Sequence, residues 1–322
     1  MSHPVRLVSV GIARTDGDGA GETGGLAGRL SGALSAFSRD GAQVRLAHGI
    51  EEATVIAAYD ALRLAGVRTP LGTEEIGVAL GVEEGIDGIK AQYYREIVKD
   101  GPLGASPIVF PLTTPNTVAA RISIALDLRG EIVTMCGGTL SGAHALGRAM
   151  EALREGRSAA MLAGGATSVE REFLDALSLV GGFEGGAPGC AACLFLLRAP
   201  RSDDAGSVVG QILGYSEAVG AHDVRDAVEA SLQDAALAPS QVRSVRVASA
   251  LDPRVLVESI CGVGVDAPMR LSPSARWHSA SFPLAVAEAI EKAADGPREP
   301  TLVVGSDCLV GAAAAVVRGG GC

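Results

Sequence analysis

The sequence of 322 residues predicts an α/β fold built from two similar halves. Short apolar segments typical of strands alternate with longer segments whose apolar residues recur at helical spacing. The alternation starts again after residue 205, and neither a Ser/Pro-rich linker nor a change in composition separates the two parts. Because such alternation is typical of βαβ units, we expect mostly parallel sheets covered by helices. We therefore predict halves over residues 1–205 and 206–322 that form one integrated unit.

The individual elements follow from the local pattern of apolar and turn residues. The first half contains predicted strands at 5–10, 76–80, 131–135, 159–163 and 194–197, and predicted helices at 51–65, 118–126 and 141–155. The second half contains predicted strands at 208–213, 245–250, 301–304 and 312–317, and predicted helices at 224–236 and 283–293.

Composition excludes several classes of function. A formal net charge of -10 argues against a nucleic acid or an anionic membrane as the main partner. The chain has no basic start followed by a long apolar run and no uninterrupted apolar segment of about 18 residues, so we expect a cytoplasmic protein. Cys190 and Cys193 have the CxxC spacing of metal and redox sites, but they stand without a second pair and lead into an apolar strand. We expect them to be core residues, and we expect neither a metal nor an organic cofactor.

Four segments carry a resemblance to one family, and their order and spacing matter more than any one of them. They are the helix-like stretch "HGIEEATVIAAYDALRLAGV" at 48–67, "SPIVFPLTTPNTVAARISIALDLRGE" at 106–131, "SGAHALGRAMEALREGRSAAMLAGGAT" at 141–167 and "GAHDVRDAVEASLQDAALAPSQVRSVRV" at 220–247. Together they resemble a β-ketoacyl synthase of the thiolase superfamily. The resemblance implies a thiolase-like fold with α/β/α/β/α layers, and it places the segment 106–131 on the side where subunits of the family dimerise.

The resemblance also implies where a nucleophile would stand. In that family a cysteine at the amino end of a buried helix accepts an acyl group from a carrier thioester, because helix amides stabilise its thiolate. The family spacing, nine residues after Gly130 and two before Ser141, falls on Thr139. A threonine hydroxyl is a very poor nucleophile at neutral pH without an adjacent base, so we expect Thr139 to cap the helix and to form a pocket wall. Cys136, three residues earlier, is the alternative nucleophile.

The other catalytic positions of the family are also altered. "ASALDPRVLVES" at 248–259 stands where a His-Gly-Thr motif is expected and contains no histidine. "SPSARWHSASFP" at 272–283 retains a histidine, His278, but lacks the preceding lysine and the glycine. "GSDCLVGAAAAVV" at 305–317 lacks the usual asparagine, and it places Asp307 and Cys308 in the active-site loop. The predicted pocket residues are therefore Thr139, His278 and Cys308, while His144 is expected to be a packed histidine near a subunit interface.

These substitutions imply a chain-length-factor-like subunit without independent condensing activity. Such a subunit pairs with a catalytic ketosynthase in a heterodimer and works with an acyl carrier protein in type II polyketide, polyene or fatty-acid-like chain elongation. The complex would be a β-ketoacyl-ACP synthase whose cysteine comes from the partner. Two alternatives remain open from the sequence: an acyltransferase or condensing enzyme that uses Cys136, and a stand-alone protein that binds an acyl group or a product.

Overall fold

The computed structural model describes residues 4–16, 49–67, 76–179, 189–199, 208–219, 223–248, 253–272, 278–294, 299–307 and 311–320. These residues form ten strands and eight α-helices. In chain order the elements are β1 (Val5–Asp16), α1 (Gly49–Leu64), β2 (Ile76–Val82), α2 (Asp87–Asp100), α3 (Asn116–Leu126), β3 (Ile132–Met135), α4 (Ser141–Arg154), β4 (Ala160–Val169), α5 (Arg171–Leu179), β5 (Gly189–Arg198), β6 (Gly210–Ala218), α6 (Asp223–Asp234), β7 (Ser244–Val247), α7 (Pro253–Gly262), β8 (Met269–Leu271), α8 (His278–Ala294), β9 (Thr301–Asp307) and β10 (Gly311–Gly319). Short 3-10 helices lie at Gly101–Gly104, Phe110–Thr113 and Pro239–Gln241.

The ten strands form one sheet whose two halves mirror each other. The strand order is β3-β2-β4-β5-β1-β6-β10-β9-β7-β8, so β6 to β10 repeat the arrangement of β1 to β5. A short antiparallel pairing between β1 and β6, which aligns Val5 with Ile212, joins the halves. The expected repetition of two βαβ-rich halves is therefore present, and the division at residue 205 stays a prediction.

The expectation of mostly parallel strands is wrong. Among the described strands, only β2 with β3 and β4, and β7 with β8 and β9, pair in parallel. The other five pairings are antiparallel. The sequence pattern could not reveal this, because strands buried on both faces, such as β4, read as continuous apolar runs whatever the direction of their neighbours.

The helices complete the α/β/α/β/α layers that the resemblance implied. α4 and α8 form the central layer, contact each other and pack against strands of both halves of the sheet. Their apolar side chains share one core with residues such as Phe195, Ile212 and Val303. A second core lies between the first half of the sheet and the outer helices α1 and α3, and a third packs α6 and α7 on the second half.

Cys190 and Cys193 are both buried in β5, as expected for core residues. Because side chains alternate along a strand, a spacing of three places them on opposite faces. Cys190 packs in the outer core and Cys193 in the central one. The pair therefore cannot close around one metal ion or form a disulfide.

Four elements of the structure were not predicted from the sequence: α2, α5, α7 and β8. α2 contains no buried residue, so no apolar face was present to produce a helical period. α8 begins at His278, five residues earlier than predicted, and contains Pro283 within it. Over the residues described, no helix combines the length and apolar character that crossing a bilayer would require.

Candidate functional site

The segment between β3 and α4, residues 136–140, is a tight turn held by a serine. The Ser141 hydroxyl accepts a hydrogen bond from the Gly137 amide at 2.8 Å and donates one to the Gly138 carbonyl at 2.7 Å. Gly138 has φ of +62°, a left-handed conformation that side chains disfavour. We call residues 136–141 the elbow.

A second glycine brings the amino ends of the two central helices together. A Cβ on Gly142, in the first turn of α4, would lie 2.1 Å from the Ser279 carbonyl oxygen at the start of α8. Only glycine permits this approach. The fold therefore places the elbow, which leads into α4, beside His278, the first residue of α8.

Thr139 lies in the elbow, but it does not cap α4. The residue at the N-cap position is Leu140, and no side chain accepts a capping hydrogen bond there. Instead, the Thr139 hydroxyl donates to Oδ2 of Asp307 at 2.8 Å, and the Thr139 amide donates to the same oxygen at 3.1 Å. The expected N-cap role is thus wrong, because the carboxylate at the end of β9 is a stronger acceptor for the hydroxyl.

A second carboxylate reaches the elbow from β2. The Gly138 amide donates to Oε2 of Glu83, the residue that follows β2, at 3.0 Å. Two successive amides, at positions 138 and 139, therefore each donate to a carboxylate from a different strand end. Neither glutamate after β2 was singled out from the sequence, although two acidic residues directly after the apolar run "IGVALGV" were a usable signal.

His278 is paired with the other of these glutamates. Its Nδ1 lies 3.3 Å from Oε1 of Glu84, whose Oε2 accepts a hydrogen bond from the buried Thr167 hydroxyl at 3.3 Å. The hydrogen bond with Glu84 raises the pKa of His278, although burial opposes the shift. The ring also contacts Phe173 edge to face, at 6.4 Å between ring centres. A histidine held in this way favours its protonated form and acts as a hydrogen-bond donor.

Cys136 is the first residue of the elbow, and it is exposed. Partial burial of its thiol raises the pKa, the Glu83 carboxylate raises it further, and Lys90 only partly opposes these effects. Reactive cysteines need the opposite, an electropositive setting that stabilises the thiolate. Cys308, the third predicted pocket residue, lies outside the described residues.

One helical turn into α4, His144 belongs to a separate polar cluster. Its Nδ1 lies 2.7 Å from Oε2 of Glu217 on β6, and the Tyr215 hydroxyl donates to the other oxygen of that carboxylate at 2.5 Å. Burial alone would raise the pKa of Glu217, but the hydrogen bonds from His144 and Tyr215 together lower it. The ring edge of His144 packs near Gly137, 3.2 Å from where a Cβ would stand. His144 is thus a packed, paired histidine.

None of these side chains assembles a metal site. Within the described ranges, no group of three or more His, Cys, Asp or Glu residues is placed to hold an ion. The site is negatively charged. The carboxylates of Glu83, Glu84 and Asp307 accept hydrogen bonds from donors near the starts of α4 and α8.

The family comparison matches part of the chain. The family described as Beta-ketoacyl synthase, N-terminal domain, matches residues 37–182. Nodulation protein E of Rhizobium leguminosarum bv. trifolii is 35% identical over 113 residues, which cover 34% of this chain and 28% of that protein. The 3-oxoacyl-[acyl-carrier-protein] synthase 2 of Vibrio harveyi is 34% identical over 114 residues, which cover 35% of this chain and 27% of that protein. The matched segment spans less than a third of each relative.

Solved structures share the fold over nearly the whole chain. The ishigamide ketosynthase/chain length factor aligns with a TM-score of 0.67 at 20% identity, over 98% of this chain and 99% of that one. A Beta-ketoacyl synthase from Burkholderia phymatum STM815 aligns with a TM-score of 0.75 at 16% identity, over 99% and 100%. The family match thus covers less than half of this chain, and the solved structures, at 20% identity or below, show that it shares the fold of these ketosynthase structures.

Proposed function

We propose that this protein is a non-catalytic, chain-length-factor-like subunit that pairs with an active ketosynthase. The observation that carries the proposal is the hydrogen bonding of Thr139. Its position has no thiol, and its hydroxyl and amide both donate to Asp307. The acceptor beside this hydroxyl is the Asp307 carboxylate, a much weaker base than the histidine that activates serine nucleophiles, so we expect no attack on a thioester.

The state of His278 supports the same conclusion. Decarboxylative condensation needs groups that stabilise the enolate as it develops, and the family uses two histidines for this. Here the segment that should supply the first contains none, and Glu84 neutralises the charge of the other. Electrostatic stabilisation of an enolate by His278 would therefore be weak, because the paired carboxylate carries the same sign of charge as the enolate.

The use of Cys136 as a nucleophile is the less favoured reading. Partial burial of its thiol and the charge of the Glu83 carboxylate both raise its pKa. At neutral pH the thiolate fraction is then smaller than that of a free cysteine, for which the pKa is about 8.5. An active condensing enzyme built on this thiol would need a compensating positive group stronger than Lys90.

We propose a partner surface that includes part of segment 106–131, which the resemblance places on the dimer side of the family. α2 buries none of its residues, and it carries Val98 with 86% of its surface exposed. Leu103 (99% exposed), Ile108 and Phe110 continue the surface along the following 3-10 segments. β3 is the end strand of the sheet formed by the described residues, and its Ile132 is also exposed. Exposed apolar side chains and an open strand edge are each typical of protein–protein interfaces.

The proposed partner is a catalytic ketosynthase, and the proposed carrier of the growing chain is an acyl carrier protein. Two structures with the same fold are described as a ketosynthase/chain length factor and as a type II PKS acyl-carrier protein in complex with its ketosynthase. Those descriptions belong to those proteins, and they motivate the proposal here. We propose that the complex elongates a polyketide, polyene or fatty-acid-like chain in the cytoplasm, with the partner supplying the cysteine.

Co-expression with a ketosynthase encoded beside this chain tests the proposal. We expect a stable one-to-one complex on size-exclusion chromatography, and we expect the isolated chain to self-associate or to be poorly soluble. We also expect no covalent adduct when the isolated chain is incubated with a labelled acyl-carrier thioester. An adduct on Cys136 would instead identify a condensing enzyme, and a monodisperse chain that ignores the ketosynthase but retains a bound acyl compound would identify a stand-alone binding protein.

A further inference from the structure

The amino end of α4 presents two donors that converge on one oxygen. The amide and the hydroxyl of Thr139 both donate to Oδ2 of Asp307, at 3.1 and 2.8 Å. The backbone of Gly138 packs against the same carboxylate, since a Cβ there would lie 2.8 Å from Oδ2. We call the Thr139 amide and hydroxyl, with the Gly138 backbone, the anion seat. It lies directly before a helix of 14 residues, whose dipole favours negative charge at this end.

We propose that Asp307 is a resident anion that fills this seat and prevents thioester chemistry at position 139, whichever side chain stands there. The inference builds on the proposed placement of Thr139 at the nucleophile position. It adds a second reason for inactivity to the missing thiol: a cysteine at position 139 would still not form an acyl-enzyme. The nearby Glu83 carboxylate does not share this role, because the hydrogen bond that it accepts comes from the Gly138 amide and not from the amide or hydroxyl of Thr139.

The bonds that form and break in an acyl transfer show why the Asp307 carboxylate would block this reaction. A thiol at position 139 would lose its proton, and its sulfur would form a bond with the carbonyl carbon of a thioester. The carbon–sulfur bond to the leaving thiol would break, and the leaving thiolate would take up the proton. The step needs a thiolate where Oγ1 now lies and a free amide for the carbonyl oxygen. Asp307 opposes both, because its charge lies 2.8 Å from Oγ1 and its oxygen holds the amide.

Alkylation of an introduced thiol tests the inference. In a C136S background, three variants would be compared: T139C, T139C/D307N and T139C/E83Q. In each, the sulfur displaces iodide from iodoacetamide, the iodide leaves and the thiol proton passes to the buffer. Because a neighbouring like charge shifts a pKa by about one unit or more, we expect alkylation at neutral pH to be about tenfold faster in T139C/D307N than in T139C. The E83Q control removes a nearby charge of the same sign, and we expect its rate to stay close to that of T139C.

Two results would overturn the inference. One is a T139C thiol that reacts as fast as the T139C/D307N thiol, and the other is an equal acceleration by E83Q and by D307N. Because the readout is the isolated chain's own thiol, it is independent of partner binding. Failure of the chain-length-factor proposal would be seen in a different experiment, as the absence of a stable complex when this chain is co-expressed with the ketosynthase.

A second measurement retains native Thr139 and does not depend on a new thiol. The D307A variant vacates the seat, so a small carboxylate should enter it and stabilise the folded chain. We expect acetate to raise the unfolding temperature of D307A by about 2 °C or more beyond its effect on the unsubstituted chain, at matched ionic strength in chloride. Equal effects of acetate on both chains would contradict the resident-anion assignment.

Discussion

Nδ1 of His278, the first residue of α8, lies 3.3 Å from Oε1 of Glu84, two residues beyond the end of β2. The contact ties the start of a central helix in the second half to a strand end in the first half. His278 has φ of +38°, a conformation rare outside glycine, so local backbone preference does not hold it there. The ion pair with Glu84 and the edge-to-face contact with Phe173 hold the side chain in place.

This pair predicts a pH-dependent stability. Because the pKa of His278 is raised in the folded chain, its contribution is fully present below the unfolded value of about 6.5 and is lost as the pH rises through the folded value. Urea unfolding at about pH 5.5 and about pH 9 should therefore show E84Q destabilised mainly at the lower pH. E83Q is the matched control, since Glu83 pairs with an amide and not with His278. A loss from E84Q that is equal at both pH values, or larger at the higher one, would contradict the pairing.

The elbow should not tolerate a side chain at position 138. In G138A the left-handed backbone is strained, and the new methyl group meets Oδ2 of Asp307 at 2.8 Å. Gly156 has a similar φ of +72° but open space around it, so G156A should cost only the strain of about 1 kcal/mol. We expect G138A to cost at least about 2 kcal/mol by urea unfolding. Equal losses in the two variants would mean that the carboxylate does not lie against Gly138.

The Ser141 hydroxyl should be worth more than an ordinary buried hydroxyl. It both accepts from the Gly137 amide and donates to the Gly138 carbonyl, so S141A leaves two backbone groups without that partner. We expect a loss of about 2 kcal/mol in the free energy of unfolding. Ser123, also buried, donates one hydrogen bond to the Leu128 carbonyl, and S123A should cost about 1 kcal/mol. If S141A costs no more than S123A, the two-bond account of the elbow is wrong.

The proposed partner surface predicts a separation of binding from folding. V98E and L103E place charges on side chains that are 86% and 99% exposed, so the isolated chain should keep its stability to within about 0.5 kcal/mol. Binding to the co-expressed ketosynthase should weaken at least tenfold, because an interface core disfavours charge. V257E, on the outer helix α7, changes an exposed valine away from this surface and serves as the control. Retained binding in both surface variants would remove α2 and its neighbours from the interface.

The sequence predicted the fold class and the place of the elbow, because these depend on local pattern and spacing. The assignment of Thr139 to the nucleophile position, which came from the family spacing, stays a prediction. The partners of the elbow were not predictable, because Asp307 lies 168 residues away along the chain and its contact depends on how β9 sits in the sheet. For the same reason, the sequence could not predict that the Thr139 hydroxyl bonds to Asp307 instead of capping α4.

Glu84 illustrates a different limit. A charged residue just after an apolar strand indicates a polar site, but its partner, His278, precedes the segment that was predicted to be helical from Pro283. The five residues added to α8 bring the histidine to that strand end. The prediction of strand directions was wrong for a related reason, because continuous apolar runs identify buried strands without showing whether they pair in parallel or antiparallel.

The central claim, that the chain serves a catalytic partner without forming an acyl-enzyme itself, has one direct measurement. The co-purified complex would be incubated with a labelled acyl-carrier thioester, and the mass of each subunit would be determined before and after digestion. The account predicts the acyl group on a cysteine of the ketosynthase subunit and an unchanged mass for this chain. An acyl group on this chain, at Cys136 or at Thr139, would contradict it.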